Sequence, residues 1–174
     1  MPLRLDKKTY DKHEVVFRRG TMDSNVLKEV IESAIYRRKS IDFDVRPSEI
    51  WLDLGANIGA FAVYCKLNNA IAECYEPNPE CFRLLEQNAL PFKCVKTAIT
   101  AIEGSTINFF ISRDKTNHTR GTIINKGKLQ ATDAVVNTHI HHLCKNKYDG
   151  IKMDIEGSEF GILDSGMIPW CDKL

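Results

Sequence analysis

Trp51-Leu-Asp-Leu-Gly-Ala-Asn-Ile-Gly59 is the stretch whose reading decides the fold. An apolar run ends in an acid and then passes through two glycines four residues apart. In a parallel α/β sheet this reads as a buried strand (Ile50 to Leu54), a tight turn, and a helix beginning at Gly59 and running to Leu67. Gly55 frees the backbone from the limits a Cβ imposes, and Gly59 lets helix and strand pack closely. The turn is expected to leave a crevice at the carboxyl edge of the strand, with Asp53 projecting near it and backbone N–H groups lining it.

The spacing of the turn restricts its ligand. A pyrophosphate seat wants G-x-G-x-x-G, so that phosphates rest on bare backbone at a helix N-terminus. Here Asn57 and Ala60 occupy the second and third glycine positions. A second apolar run, Ile71-Ala-Glu-Cys-Tyr-Glu76, ends in an acid 23 residues after Asp53. An acid there is placed to hydrogen-bond ribose hydroxyls. Together the two runs suit a nucleoside without phosphates.

Two further stretches sharpen this reading: Tyr75-Glu-Pro-Asn-Pro79, and Tyr148-Asp-Gly-Ile-Lys-Met-Asp-Ile-Glu-Gly-Ser-Glu-Phe160. With Asp53 to Gly59 they resemble, in order, motifs of the S-adenosylmethionine-dependent methyltransferases, and the last is similar to the I-K-x-D-x-E-G-x-E pattern of the FkbM-like family. The resemblance runs from about Val15 to Gly166. It implies a doubly wound, mostly parallel Rossmann-like α/β sheet with S-adenosylmethionine as cofactor. The cofactor seat would comprise Asp53, Gly55, Ala56, Asn57, Gly59, Glu76 and Pro77, with Thr97 and Ala98 beside the adenine ring. Asp154 and Glu156, at the carboxyl edge of a strand spanning Asp149 to Ile155, are the candidate catalytic carboxylates.

At 174 residues the chain is read as one domain. Residues 1–48 form an N-terminal strand and helix extension, 49–99 a cofactor-binding βαβαβ unit, 100–137 a β insertion, and 138–174 a helix, the fourth strand and the helix after it. Within the extension, residues 1–14 read as a loose polar arm and Val15 to Phe17 as a strand. Thr21-Met-Asp23 then precedes a helix capped by Asp23 or Ser24. The Arg19-Gly-Thr-Met-Asp23 segment, which the family shares, reads as a helix cap in preference to a lid. Phe92 to Ile99 reads as the third strand. A fifth strand should begin at Trp170-Cys-Asp-Lys-Leu174, so the C-terminal strands are expected to be lacking. The fourth strand would then be an exposed edge that invites pairing with another copy.

Lys+Arg 24 against Asp+Glu 23 leaves a formal charge of +1, which gives no electrostatic reason to expect nucleic acid or an anionic membrane as partner. No signal-peptide core and no membrane-length apolar run occurs, so a cytoplasmic location is the default. The six cysteines include no C-x-x-C pair, and Cys65, Cys74 and Cys94 lie in apolar runs that suit free core thiols. His139, His141 and His142 invite a metal reading. On a helix, however, 139 and 142 share a face while 141 points elsewhere, and no nearby cysteine or carboxylate completes a ligand set, so no metal is expected.

The function implied is methyl transfer to a hydroxyl of a small compound or sugar. A non-catalytic S-adenosylmethionine or nucleoside-binding module is the alternative, and an NAD-dependent oxidoreductase is disfavoured by Asn57 and Ala60.

Overall fold

The computed structural model describes residues 4–37, 43–104, 106–112, 121–122 and 129–174. A five-stranded parallel sheet forms its centre. It contains β3 (Ile50–Leu54), β4 (Ile71–Tyr75), β5 (Cys94–Val95), β10 (Lys147–Met153) and β11 (Trp170–Lys173), in the order β11-β10-β3-β4-β5. Helix α2 (Ala60–Leu67) connects β3 to β4, α3 (Pro79–Ala89) connects β4 to β5, and α4 (Glu159–Ser165) connects β10 to β11. Asn78 accepts the Glu80 N–H at 3.0 Å and Pro79 follows it at the first helical position, a sequence-encoded start for α3.

Because side chains alternate along β3, its two faces feed two cores. Leu52 and Leu54 pack with Tyr75, Ile140, Ile151 and Ile162 on one side. Trp51 packs with α2, α3 and the N-terminal segment on the other. Both faces are thus covered, as a parallel sheet requires. Trp51 is fully buried and lies across Gly150, its register partner on β10, where an added Cβ would sit 2.4 Å from the indole. Two pairs further along, on the same face, Asp53 faces Lys152.

The N-terminal region departs from expectation. Rather than a loose arm, β1 (Leu5–Tyr10) pairs antiparallel with β2 (His13–Arg18) through a tight turn in which Asp11 has φ 52°. Its polar side chains stay exposed while the backbone ladder holds the strand, so hydrophobic patterning gave no signal. The buried Asn88 ties this hairpin to the central turn: its amide donates to Val16 O and Ile58 O and accepts from Val16 N–H. Helix α1 (Asp23–Leu27) continues as a π-helical turn, Lys28–Glu32. Neither Asp23 nor Ser24 caps it. Met22 occupies the cap position, and Asp23 is buried in an ion pair with Arg18 at 2.9 Å.

The third strand is split. β5 stays in the central sheet, whereas β6 (Ala98–Thr100) joins a second sheet, ordered β6-β9-β7-β8, with β7 (Thr106–Ser112), β8 (Gly121–Thr122) and β9 (Leu129–His139). The antiparallel pairing of β7 with β8 and β9 is the β insertion read from sequence. The polar stretch from Asp114 to Gly121, which reads from sequence as the turn region of this insertion, lies outside the described residues except for Gly121. The last strand also differs from expectation: β11 pairs in parallel with β10, so the fourth strand is not an edge. No helix among the described residues is long and apolar enough to cross a membrane.

Candidate cofactor site

The turn between β3 and α2 lies against the loop that leaves β10. A Cβ on Gly55, which has φ 78°, would stand 2.0 Å from the backbone oxygen of Asp154. Close approach as well as conformation therefore requires glycine here. Gly59, at φ 89°, precedes α2 and packs against Leu85, whose Cδ1 would be 3.1 Å from an added Cβ. Its role is the close packing of α2 on α3, behind the crevice.

Two cavities flank the turn. The front crevice, about 60 Å³, is lined by Gly55, Asn57, Glu76, Pro77, Thr97, Ala98, Asp154 and Glu156, together with Tyr75, Ile99, Phe109, Ile155 and Ser158. Eight residues expected from sequence therefore meet in one place. The rear cavity, about 350 Å³, shares Gly55, Asn57, Asp154 and Glu156, adds Ala56 and Lys152, and is closed by Met22, Asn25, Val26, Glu29 and Tyr36 of the N-terminal segment. The segment containing Arg19 to Asp23 thus leads into a wall of the site, which its reading as a helix cap did not anticipate.

The backbone N–H groups of the turn are already used. Those of Gly55 and Ala56 both donate to Tyr75 O at 2.9 Å, and that of Asn57 donates to Glu76 Oε2 at 2.8 Å. They do not form the expected N–H lining, and none of the three is left for a phosphate. Glu76 also accepts the Asn78 N–H at 2.8 Å, which fixes its carboxylate at the end of β4. Burial pushes this carboxyl up to about 7, against the opposing pull of the Asn78 and Asn57 N–H groups. Asn57 Oδ1 is buried and has no hydrogen-bond partner among the described residues. A buried acceptor left bare costs about 1–3 kcal/mol, which a ligand donor would recover. Bare acceptors beside a crevice fit hydroxyl- or ammonium-bearing ligands and repel phosphates.

Asp53 does not project toward the crevice. It shares the Trp51 face of β3, is fully buried, and lines neither cavity. Lys152 Nζ lies 3.0 Å from its Oδ1 and donates at 2.6 Å to Gly55 O. The Asp53 oxygens make no well-shaped hydrogen bond, so the contact is primarily electrostatic. Burial pulls the Lys152 ammonium down, but the charge of Asp53, with Tyr36 and Asp154 adding to it, holds it above the ordinary lysine value. Lys152 therefore joins the acid of β3 to the glycine of the turn. The lysine of the I-K-x-D pattern is its signal in the sequence.

Asp154 and Glu156 flank Ile155 at the end of β10, and Glu156 has φ 53°. Glu159 accepts the Ile155 and Gly157 N–H groups at 2.7 and 2.6 Å and so fixes the loop that presents them. Thr97 sits where the two sheets part, with its hydroxyl donating to Val136 O at 2.9 Å and 3.0 Å from that of Thr138.

A doubly wound parallel sheet with a site at the carboxyl ends of its strands, an acid ending β4 and no free phosphate cradle, defines a nucleoside-cofactor domain of Rossmann-like type. Residues 53–173 match the Methyltransferase FkbM domain, and the chain belongs to that family, whose cofactor is S-adenosylmethionine. No curated protein matches the chain. Among solved structures it is similar to P. horikoshii TYW2 in complex with MeSAdo, with 17% identity and TM-score 0.38, covering 56% of this chain and 42% of that one. It is also similar to PH0793 of Pyrococcus horikoshii, provisionally a transferase, with 12% identity and TM-score 0.33, covering 57% and 44%. The chain thus matches less than half the length of either neighbour.

Proposed function

We propose that the chain is the cofactor-binding core of a methyltransferase that methylates a hydroxyl oxygen of a small compound or sugar. The observation that carries this is the pairing of the buried Glu76 carboxylate with the bare Asn57 Oδ1 in one crevice of a Methyltransferase FkbM domain. Glu76 would hold the ribose hydroxyls, Pro77, Thr97 and Ala98 the adenine edge, and Gly55, Ala56 and Asn57 the amino-acid end. Asp53 acts through Lys152, and Gly59 through the placement of α2. The front crevice is smaller than the roughly 300–1,000 Å³ of ordinary ligand pockets, so admitting a nucleoside requires movement of its walls, with Phe109 on β7 the largest side chain from the insertion.

Bound there, S-adenosylmethionine would supply an electrophilic methyl group on a sulfonium. The remaining work falls to positioning and to one proton. The rear cavity would hold the acceptor near the turn, and the carboxylate of Asp154 or Glu156 would take the hydroxyl proton as the oxygen attacks. A cytosolic setting belongs to this reading, in keeping with six free cysteines.

The test is calorimetric titration with S-adenosylmethionine and, separately, NAD. Binding of the first and not the second is expected, with Glu76→Ala abolishing it; the reverse preference would overturn the assignment. Asp154→Asn or Glu156→Gln is expected to lower turnover on hydroxyl acceptors while leaving cofactor affinity within a few-fold.

Glu76 gives this reading a pH signature. Its folded pKa of about 7 lies above the reference value of 4.5, so the empty protein binds that proton more tightly than the unfolded chain does. This contribution to stability, on the order of 3 kcal/mol, is complete below about pH 4.5 and is lost as pH rises toward 7. Ribose hydroxyls donating to the carboxylate favour its ionised form, so cofactor affinity is expected to move the other way. It should rise about tenfold per unit up to pH 7 and then level off. Glu76→Gln should flatten both profiles, and an affinity independent of pH in the unsubstituted protein would exclude a direct Glu76 contact.

A further inference from the structure

Away from the crevice, where β9 gives way to a short 3-10 turn (Ile140–His142), His139, His141 and Glu103 come together. One ligand atom from each lies within 4.8 Å of the other two. Glu103 is the nearby carboxylate that sequence neighbours alone did not provide. None of the three lines either cavity at the turn.

We infer that these three side chains form a binding site for a divalent transition-metal ion such as zinc. The two Nδ1 atoms of His139 and His141 are 2.7 Å apart, a contact that needs a proton between them or an ion in its place. Glu103 Oε1 is 3.6 Å from His139 Nε2. An imidazole gives an ion one nitrogen, so only one of these two distances can belong to the ligand set. The set itself has one atom of each residue within 4.8 Å of the others, and side-chain rotation brings these to the roughly 3–3.5 Å spacing around a tetrahedral ion at about 2.0–2.2 Å.

The backbone that carries them is already organised. His139 is 6% exposed, and its Nδ1 receives the His141 N–H at 3.2 Å. Across from it, the Asn137 amide donates to Ile102 O at 2.9 Å and Gly104 O at 3.2 Å, which pins the loop carrying Glu103 to β9. Two imidazoles and a carboxylate suit zinc, nickel or copper better than magnesium or calcium. Three protein ligands leave a position for water. The ion would staple the 101–104 loop to the end of β9 and is independent of methyl transfer.

That hydrogen bond to His139 Nδ1 is the competing structural explanation, in which the histidine merely caps the turn. The two separate in a titration of the chelator-treated chain with zinc chloride, alongside His141→Ala and Glu103→Ala. Glu103 is 85% exposed and neither side chain is in the core, so both variants should fold. Saturable zinc binding that raises the melting temperature is expected, weakened by at least about tenfold in each variant. Cobalt substituted for zinc should show no sulfur-to-metal absorption, which excludes the cysteines as ligands. Absence of binding, binding in either variant as tight as in the unsubstituted chain, or a sulfur-to-cobalt band would overturn the assignment.

Discussion

Lys152→Met is expected to cost about 3–5 kcal/mol, because it leaves the Asp53 carboxylate buried with no cation beside it. Asp53 has no solvent exposure and no other ion-pair partner among the described residues, while Lys152 is 6% exposed. The same change removes the 2.6 Å hydrogen bond to Gly55 O, and with it a restraint on the turn. Two consequences separate in a double-mutant comparison. Adding Asp53→Asn to Lys152→Met removes the stranded charge, so most of the stability should return. Cofactor affinity should stay low, since the turn has still lost its tie. Chemical denaturation reads the first and calorimetry the second. A loss under about 1 kcal/mol for Lys152→Met alone would mean that the pair is better solvated than its burial indicates.

Gly55→Ala is the second large effect. The added methyl would meet Asp154 O at 2.0 Å, Asp154 C at 2.8 Å and Ile155 Cγ2 at 3.3 Å. Two of these are backbone atoms, held by the Asp154 N–H to Leu54 O hydrogen bond at 3.0 Å, so no side-chain rotation relieves the overlap. Left-handed backbone strain adds about 1–3 kcal/mol and the overlap about 1–3 more. Gly166→Ala is the control: it shares a positive φ, 67°, but an added Cβ there has nothing within 4 Å. It should show the strain alone and bind cofactor normally. Equal losses at the two positions would show that conformation, and not the approach to Asp154, governs Gly55.

Much of this site was legible because its signals are local. A strand ending in an acid, a glycine whose spacing excludes a pyrophosphate, and an acid closing the next strand are each confined to a few residues. Glu76, Asn57, Asp154 and Glu156 accordingly lie where they were expected. What was misread depends on which face a residue takes. Asp53 was placed by its nearness in sequence to the turn, whereas alternation from Trp51 puts it on the face of α2, opposite a lysine 99 residues later. The β1–β2 hairpin escaped notice because backbone ladders can hold a polar strand without an apolar face. Thr97 and Ala98 were assigned to one continuous strand, although their proximity to the crevice comes from its break between two sheets. Glu103 is separated from His139 by a β excursion that no local pattern could bridge.

Trp51 and Trp170 are the chain's two tryptophans, and their surroundings differ in a way that is optically useful. Trp51 is enclosed by Phe43 and Phe61, with ring centroids 4.9 and 5.4 Å away, while Trp170 on β11 is 55% exposed under the ammonium of Lys147. The indole locked over Gly150 should emit blue-shifted fluorescence until the whole sheet opens. The one on the outer strand should emit red-shifted light and respond to iodide quenching. A spectrum resolved into these two components, with Trp170→Phe to isolate the buried emitter, would report fraying of the outer strand separately from global unfolding.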